Sequence, residues 1–245
     1  RKMKIDTILS PLELPTLAQR NLRATVCVVF DVLRATSTFV TALHHGAQAI
    51  IPVGEISKAL EIKKLRPEFL LGGERHGVRI SADGVDFDLG NSPREFTPEK
   101  VRGKTIVSTT TNGTRALRAG ANAQTTLAAS FLNLAATAKF LGKSPPEELL
   151  LVCAGTGDGV ALEDVLAAGA LADLLADDLS DSTEIARQTF LRMKSDLPEA
   201  IAGSRNGRRL LGIPELRADV PFCAQRDIFN LVAALAADGS LRKIS

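Results

Sequence analysis

The chain has 245 residues, 45% hydrophobic and 24% charged, with a formal net charge of +2. That length supports one large α/β domain or two small ones around an ample core, and the composition excludes a disordered chain. A charge so near zero, with 4% aromatics and no Trp or Tyr, argues against electrostatic binding of nucleic acid and against base stacking.

Cys27, Cys153 and Cys223 are odd in number, far apart and set in apolar runs. This is the pattern of reduced core thiols, so a cytoplasmic protein is expected. No apolar run is long enough to span a bilayer, and the opening Arg1-Lys2-Met3-Lys4-Ile5-Asp6 carries no apolar secretory segment, so no membrane partner is expected.

A strand is predicted over residues 3–9, then a segment punctuated by Pro11 and Pro15. Residues 25–30 are apolar and β-rich throughout, as a strand buried on both faces must be. That run ends at Asp31, and a helical pattern carries Thr38, Val40, Thr41, Ala42 and Leu43 to Gly46. A strand at 49–53, an amphipathic helix at 56–65 and a strand at 69–73 ending at Glu74 follow. Residues 75–98 are polar, rich in Gly and Asp, and without regular period; a loop that long is more often functional than idle.

Residues 106–117, Ile-Val-Ser-Thr-Thr-Thr-Asn-Gly-Thr-Arg-Ala-Leu, organise the rest. A β-branched run stops at a Gly-containing turn and becomes helical, which aims unpaired N–H groups and the positive end of a helix dipole at one point. Thr109, Thr110, Thr111, Asn112, Thr114 and Arg115 can add donors there, and Gly113 can take φ > 0 and let the backbone come close. The competing reading is an ordinary turn capped by Thr. The excess of Thr over what a cap needs favours an anion site.

Further on, a strand is predicted at 125–129, Ser130 as a helix cap, a helix to about Leu141, a strand at 149–154, and helices at 163–175 and 183–195. Residues 202–211 are basic and contain Gly; a strand through Val220 and Phe222 and a helix over 227–237 are expected to close the chain. Three strand-turn-helix units end alike, at 43–47, 117–121 and 166–170, each with Gly before a final Ala. Repeated βα units require a largely parallel sheet covered on both faces, with its ligand crevice beyond the carboxyl ends of the strands. Asp31, Glu74, the Thr run and the Gly155 turn are therefore expected along one edge.

Asp31 and Arg34 lie just past a buried strand; the carboxylate can hold a hard cation or cap a helix, and the guanidinium can grip an oxyanion. Glu74 and Arg75 repeat the arrangement, with a surface ion pair as the plain alternative. Asp86, Asp88, Asn91 and Ser92 are also ordinary turn formers, and Glu163 and Asp164 suit a helix start for dipole reasons alone. Together they give carboxylates and arginines at strand ends, which suits a phosphate bound through Mg²⁺. Common phosphatase and nucleotidase signatures fail. Cys153 and Cys223 lack an Arg six positions on, Arg75-His76-Gly77 follows the wrong strand for a phosphohistidine enzyme, Asp86-Phe87-Asp88 lacks a preceding apolar strand, and no P-loop is present.

Seven ordered blocks carry a family resemblance: Asp31 to Thr36, Gly73-Glu74-Arg75, Phe87 to Pro93, Thr109 to Arg115, Ser130 to Asn133, Cys153-Ala154-Gly155 and Leu162-Glu163-Asp164. Together the chain resembles the 2-phosphosulfolactate phosphatases, the ComB family, over most of its length. The resemblance implies a three-layer α/β/α sandwich with a largely parallel or mixed sheet, in a single domain over 1–245. It also implies a Mg²⁺-dependent phosphatase converting 2-phospho-3-sulfolactate, or a related small phosphorylated hydroxy acid, to sulfolactate and phosphate on the way to coenzyme M. With that activity, Asp31, Arg34 and Arg115 are the expected catalytic residues, Asp31 as general base with a covalent aspartyl phosphate as the open alternative. Arg75, Asn91, Ser92, Thr110, Thr111, Asn112, Gly113, Thr114, Ser130 and Asn133 become substrate contacts, and Asp31, Glu74, Glu163 and Asp164 metal ligands. Arg205, Arg208 and Arg209 are further candidate contacts; the family often has His where this chain has Asn206. A homo-oligomer is expected. A different class of function, a non-catalytic sensor of a phosphorylated or sulfonated metabolite, is opposed by carboxylates that repel an anion unless a metal intervenes.

Overall fold

The computed structural model describes residues 2–175 and 177–244; Arg1 of the opening stretch lies outside them. Strand β1 (Lys4–Ile8) is followed by a 3-10 helix, Pro11–Gln19, started by a capping box between Ser10 and Glu13. Strand β2 (Thr25–Phe30) is buried along its whole length and feeds α1 (Ala35–His44), after which the chain turns at Gly46 with φ +91°. Next come β3 (Ala49–Pro52), α2 (Ile56–Leu65) and β4 (Leu70–Arg75). The irregular stretch then holds three two-residue strands, β5 (Val78–Arg79), β6 (Ser81–Ala82) and β7 (Val85–Asp86), too short to leave a periodic signal. The chain continues through α3 (Pro98–Val101), β8 (Thr105–Thr109), α4 (Gly113–Ala119), β9 (Thr125–Ala129), α5 (Leu134–Lys143), β10 (Glu148–Cys153) and α6 (Leu162–Leu175). It ends with β11 (Asp178–Leu179), α7 (Asp181–Met193), α8 (Leu197–Ala202), α9 (Arg205–Leu211), α10 (Asp219–Cys223), β12 (Ala233–Leu235) and β13 (Leu241–Lys243).

The C-terminal expectations are overturned. Residues 219–223 are helical, because Val220 and Cys223, three apart, point inward while Pro221 sits in the first turn, where its missing N–H is harmless. The apolar run within 227–237 is not a helix but leads into β12 of a hairpin. Its turn sits on Asp238-Gly239, with Gly239 at φ +77° and Asp238 accepting from the Ser240 N–H and hydroxyl. The repeat at 166–170 marks no helix end either. Gly169 lies inside α6, where a Cβ would stand 2.1 Å from the Ala186 carbonyl oxygen of α7, so the glycine serves close helix packing.

The architecture is a three-layer α/β/α sandwich around a mostly parallel sheet. Strand order is β11-β1-β10-β2-β9-β12-β13-β3-β8-β4-β5. One parallel block, β11 to β9, is joined to a second, β3-β8-β4, by the antiparallel β12–β13 hairpin, which meets β3 at a single residue pair, Leu241 with Ile50. Three antiparallel steps separate the blocks, so in a flat sheet their carboxyl ends would point opposite ways. Side-chain contacts between those ends, described below, show that strand twist and curvature bring them together.

One core packs α5 to α10 on the outer face of the first block, with Phe30, Leu151, Leu171 and Phe190 among its members. A second core places α1 and α4 inside the curve, touching Cys27, Val29 and Val152 of the first block and Ile50 and Ile106 of the second. The sheet thus wraps two helices whose first turns face the same crevice. All three cysteines are free and buried, and burial pushes the Cys27 and Cys223 thiols up to about 12. None is a nucleophile at neutral pH.

Candidate active site

A cavity of ≈ 480 Å³ opens where β2, β4, β8 and β10 end. The turn after β2 contributes Asp31, Leu33 and Arg34, the end of β4 Glu74, His76 and Gly77, and the turn after β8 Thr111 and Asn112. The β10 turn adds Gly155, Thr156 and Gly157, the irregular loop Asn91, and helix α9 Arg205, Asn206 and Arg209. Six segments separated widely in sequence thus meet at one place. Asn112 ties the two sheet blocks together there, its amide donating to the carbonyls of Ala154 at 2.8 Å and Gly157 at 2.9 Å.

The Thr-rich turn is used differently from the expectation. Thr110 and Thr114 bond one another, each hydroxyl accepting the other's backbone N–H, which is the capped-turn reading. The Thr111 N–H and hydroxyl both donate to Glu74 Oε1 at 2.9 Å, so these donors face a carboxylate. Gly113 does not take φ > 0. It is required because a Cβ there would lie 2.6 Å from Asp31 Oδ2 and 2.4 Å from Ala35 Cβ, where the first turns of α4 and α1 touch.

Other expected contacts also lie elsewhere. Arg115, its side chain 47% exposed, borders a separate recess with Thr110 and Thr114 and, among the described residues, pairs with Asp158 alone, at 3.9 Å. Arg75 is held by Thr109 Oγ1 and the carbonyls of Glu74 and Gly54, outside the cavity lining. Ser130 and Asn133 are wholly buried and form a capping box, with Asn133 also donating to the Leu231 carbonyl, so they anchor the β9–α5 turn and the C-terminal hairpin instead of facing the cavity. Ser92 donates to Asp219. Of the basic stretch, Arg205 and Arg209 face the cavity, whereas Arg208 bonds the Gly203 carbonyl.

Electrostatics sort the acids. Asp31 accepts one backbone bond from Ala35 at 3.1 Å. Its burial, chiefly, and repulsion from Glu74 and Glu163 push its carboxyl up to about 7 against the Ala35 bond and the Arg34 charge. Burial also works to raise Glu74, but bonds from Gly77 and Thr111, with Arg34, outweigh it and hold this carboxyl below the usual range. Asp164 is braced by the N–H groups of Val32 at 2.8 Å and Gly155 at 3.0 Å, yet burial and the neighbouring acids keep it raised. The Asn206 amide donates to Glu163 Oε1 at 2.7 Å and to Thr156.

Among the described residues no group of three or more acidic, His or Cys side chains is clustered closely enough to hold a metal ion as the side chains stand. Both oxygens of Glu74 and of Asp164 already receive N–H or O–H donors. What remains fits a hard cation better. Glu163 Oε2 and Asn206 Oδ1 are buried acceptors without a hydrogen-bond partner among the described residues, beside a cavity that Asp31 lines. Oxygen acceptors lacking donors are what Mg²⁺, with one or two carboxylates and its own waters, would complete.

Asp219 and Thr156 were missed by sequence reasoning. Asp219 adjoins a segment that reads as strand, and Thr156 is an uncharged residue of a Gly-rich turn. Gly77 carried a usable signal, since His76-Gly77 reverses the chain with both residues at positive φ.

The family model described as 2-phosphosulpholactate phosphatase matches residues 12–238. The chain belongs to that family. A probable 2-phosphosulfolactate phosphatase of Caldanaerobacter subterraneus subsp. tengcongensis is 40% identical over 227 residues, covering 88% of this chain and 90% of the relative. One of Thermotoga maritima is 44% identical over 209 residues, 85% of this chain and 88% of the relative. One of Carboxydothermus hydrogenoformans is 38% identical over 235 residues, 94% and 92% of the two chains. The family's activity is that of a phosphoric monoester hydrolase.

Proposed function

We propose that this chain hydrolyses the phosphate ester of 2-phospho-3-sulfolactate, or of a closely related small phosphorylated hydroxy acid, with Mg²⁺ as cofactor. The observation that carries the reading is one cavity in which Asp31 stands with Arg34, Arg205 and Arg209 beside the partnerless oxygens of Glu163 and Asn206. Asp31, Glu163 and Asn206 would hold the cation, and bound Mg²⁺ would offset phosphate charge.

The chain's own residues supply the rest. Arg34 places fixed positive charge beside the reacting group, where a dry site makes it most effective. Arg205 and Arg209, which make no ion pair among the described residues, offer charge to the carboxylate and sulfonate of the substrate. Asp31 in its ionised form accepts a proton of the attacking water as that water's oxygen bonds to phosphorus, and the ester oxygen leaves with a proton from solvent. Leu33 and the Gly155–Gly157 turn complete the cavity wall.

The test is phosphate release from 2-phospho-3-sulfolactate by the purified chain, with and without Mg²⁺ and with a chelator. Turnover that stops with chelator and returns with Mg²⁺ supports the reading. Tight binding of the ester without phosphate release assigns the site to a sensor instead.

A further inference from the structure

We infer that Asp219, a residue of the short helix α10 that does not line the cavity, is the positioning residue for Arg34 and sets where positive charge meets the substrate; this rests on the hydrolase reading above. The Asp219 side chain is 0% exposed and the Arg34 side chain 3%. Arg34 Nη1 donates to Asp219 Oδ2 at 2.7 Å, a charge-assisted bond between two buried groups. Asp219 Oδ1 receives the Ser92 hydroxyl at 2.6 Å, and Arg94 lies 3.9 Å away, half exposed. The guanidinium's other contact is Nη2 to the Gly77 carbonyl at 3.3 Å.

This arrangement does three things. It gives the buried arginine a counter-charge, without which its burial is strongly unfavourable. It fixes the fork with only two of the five N–H groups a guanidinium carries, leaving the others for an anion in the cavity. It also joins the outer helical layer to the crevice, because Ser92 follows Asn91, whose carbonyl accepts from Thr38 of α1. A carboxylate that only stabilised the fold would not need to touch both a cavity arginine and the loop that borders the cavity.

The experiment is a double-mutant cycle on kcat/KM for phosphate release, with Arg34→Ala, Asp219→Asn and the pair. Asparagine keeps the volume and one acceptor oxygen, and a thermal melt confirms that each variant is folded. Asp219→Asn is expected to lower kcat/KM about tenfold or more, and Arg34→Ala about a hundredfold, the scale of losing one charge-stabilising donor. In the Arg34→Ala background Asp219→Asn should cost less than about threefold, since its effect passes through the missing arginine. Millimolar guanidinium should restore part of the Arg34→Ala activity only while Asp219 is present. Full additivity, equal rescue without Asp219, or an Asp219→Asn enzyme within twofold of wild type overturns the assignment. A wild-type chain that releases no phosphate defeats the hydrolase reading instead. Binding of inorganic phosphate to the same variants then reads the same coupling without turnover.

Discussion

Asp31 and Glu74 close two strands on the same cavity and are both buried, the Asp31 carboxyl more deeply, and their carboxyls are driven in opposite directions. The difference lies also in the donors around them. Asp31 takes one backbone bond and faces two like charges; Glu74 takes three bonds, two from backbone N–H groups, fixed by the His76-Gly77 turn and the Thr111 turn. Burial alone therefore does not decide what a carboxylate at a strand end can do. One held by many donors stays ionised and braces the walls, and one left under-bonded is free to exchange a proton or meet a cation.

The sharpest way to break this comparison is to neutralise each acid in turn. Asp31→Asn should cut kcat by at least about a hundredfold with the fold intact, the scale of losing a general base, and the acid limb of the pH–rate profile that protonation of this carboxylate sets should vanish. Steady-state kinetics across pH 5 to 9 reads both, and near wild-type turnover removes Asp31 from the mechanism. Glu74→Gln should cost about tenfold in kcat/KM, acting through the loosened walls, because the new amide sets a donor against the Gly77 N–H. Were Glu74→Gln to lose more than Asp31→Asn, the roles of the two acids would have to be exchanged.

Much of this frame was legible before any coordinates. An unbroken apolar run at 25–30 has only a buried strand as its solution, and the carboxylates just past such strands could be read as crevice residues. Three things were not legible. Which hydroxyls of the Thr run point outward depends on Glu74, remote in sequence, taking both Thr111 donors. The closing hairpin was hidden because its apolar run has a composition equally suited to a helix, although Asp238-Gly239 marked the turn. Asp219 acts through a partner far away in the chain, Arg34, as Asn206 is oriented by Glu163, and no local pattern announces such pairs.

The same two acids should also separate in stability. Asp31 has a folded carboxyl near 7 against an ordinary 3.8, so the folded state holds the extra proton between those values and stability falls as pH rises through that window. Glu74, held below its ordinary 4.5, contributes stability above that value and loses it as pH falls further. In metal-free protein, Asp31→Asn is thus expected to be more stable than wild type at pH 8 by roughly 1–4 kcal/mol, with the gap closing toward pH 4. Urea melts at the two pH values measure it. A gap that widens at low pH would mean that Asp31 is ionised comfortably and resembles Glu74 after all.

A third strand end gives the smallest effect and serves as the reference. Ser130, just past β9, has its hydroxyl bonded to the Leu132 N–H and its own N–H to Asn133, and its side chain does not border the cavity. Ser130→Ala removes a cap inside a buried turn and should cost about 1 kcal/mol of stability, typical for such caps. Its kcat/KM should stay within twofold of wild type, since the change reaches no residue of the cavity wall. A tenfold loss of kcat/KM without a matching loss of stability would show that the β9 end belongs to the reacting site, and that under-bonded carboxylates are not the only strand-end groups that do its chemistry.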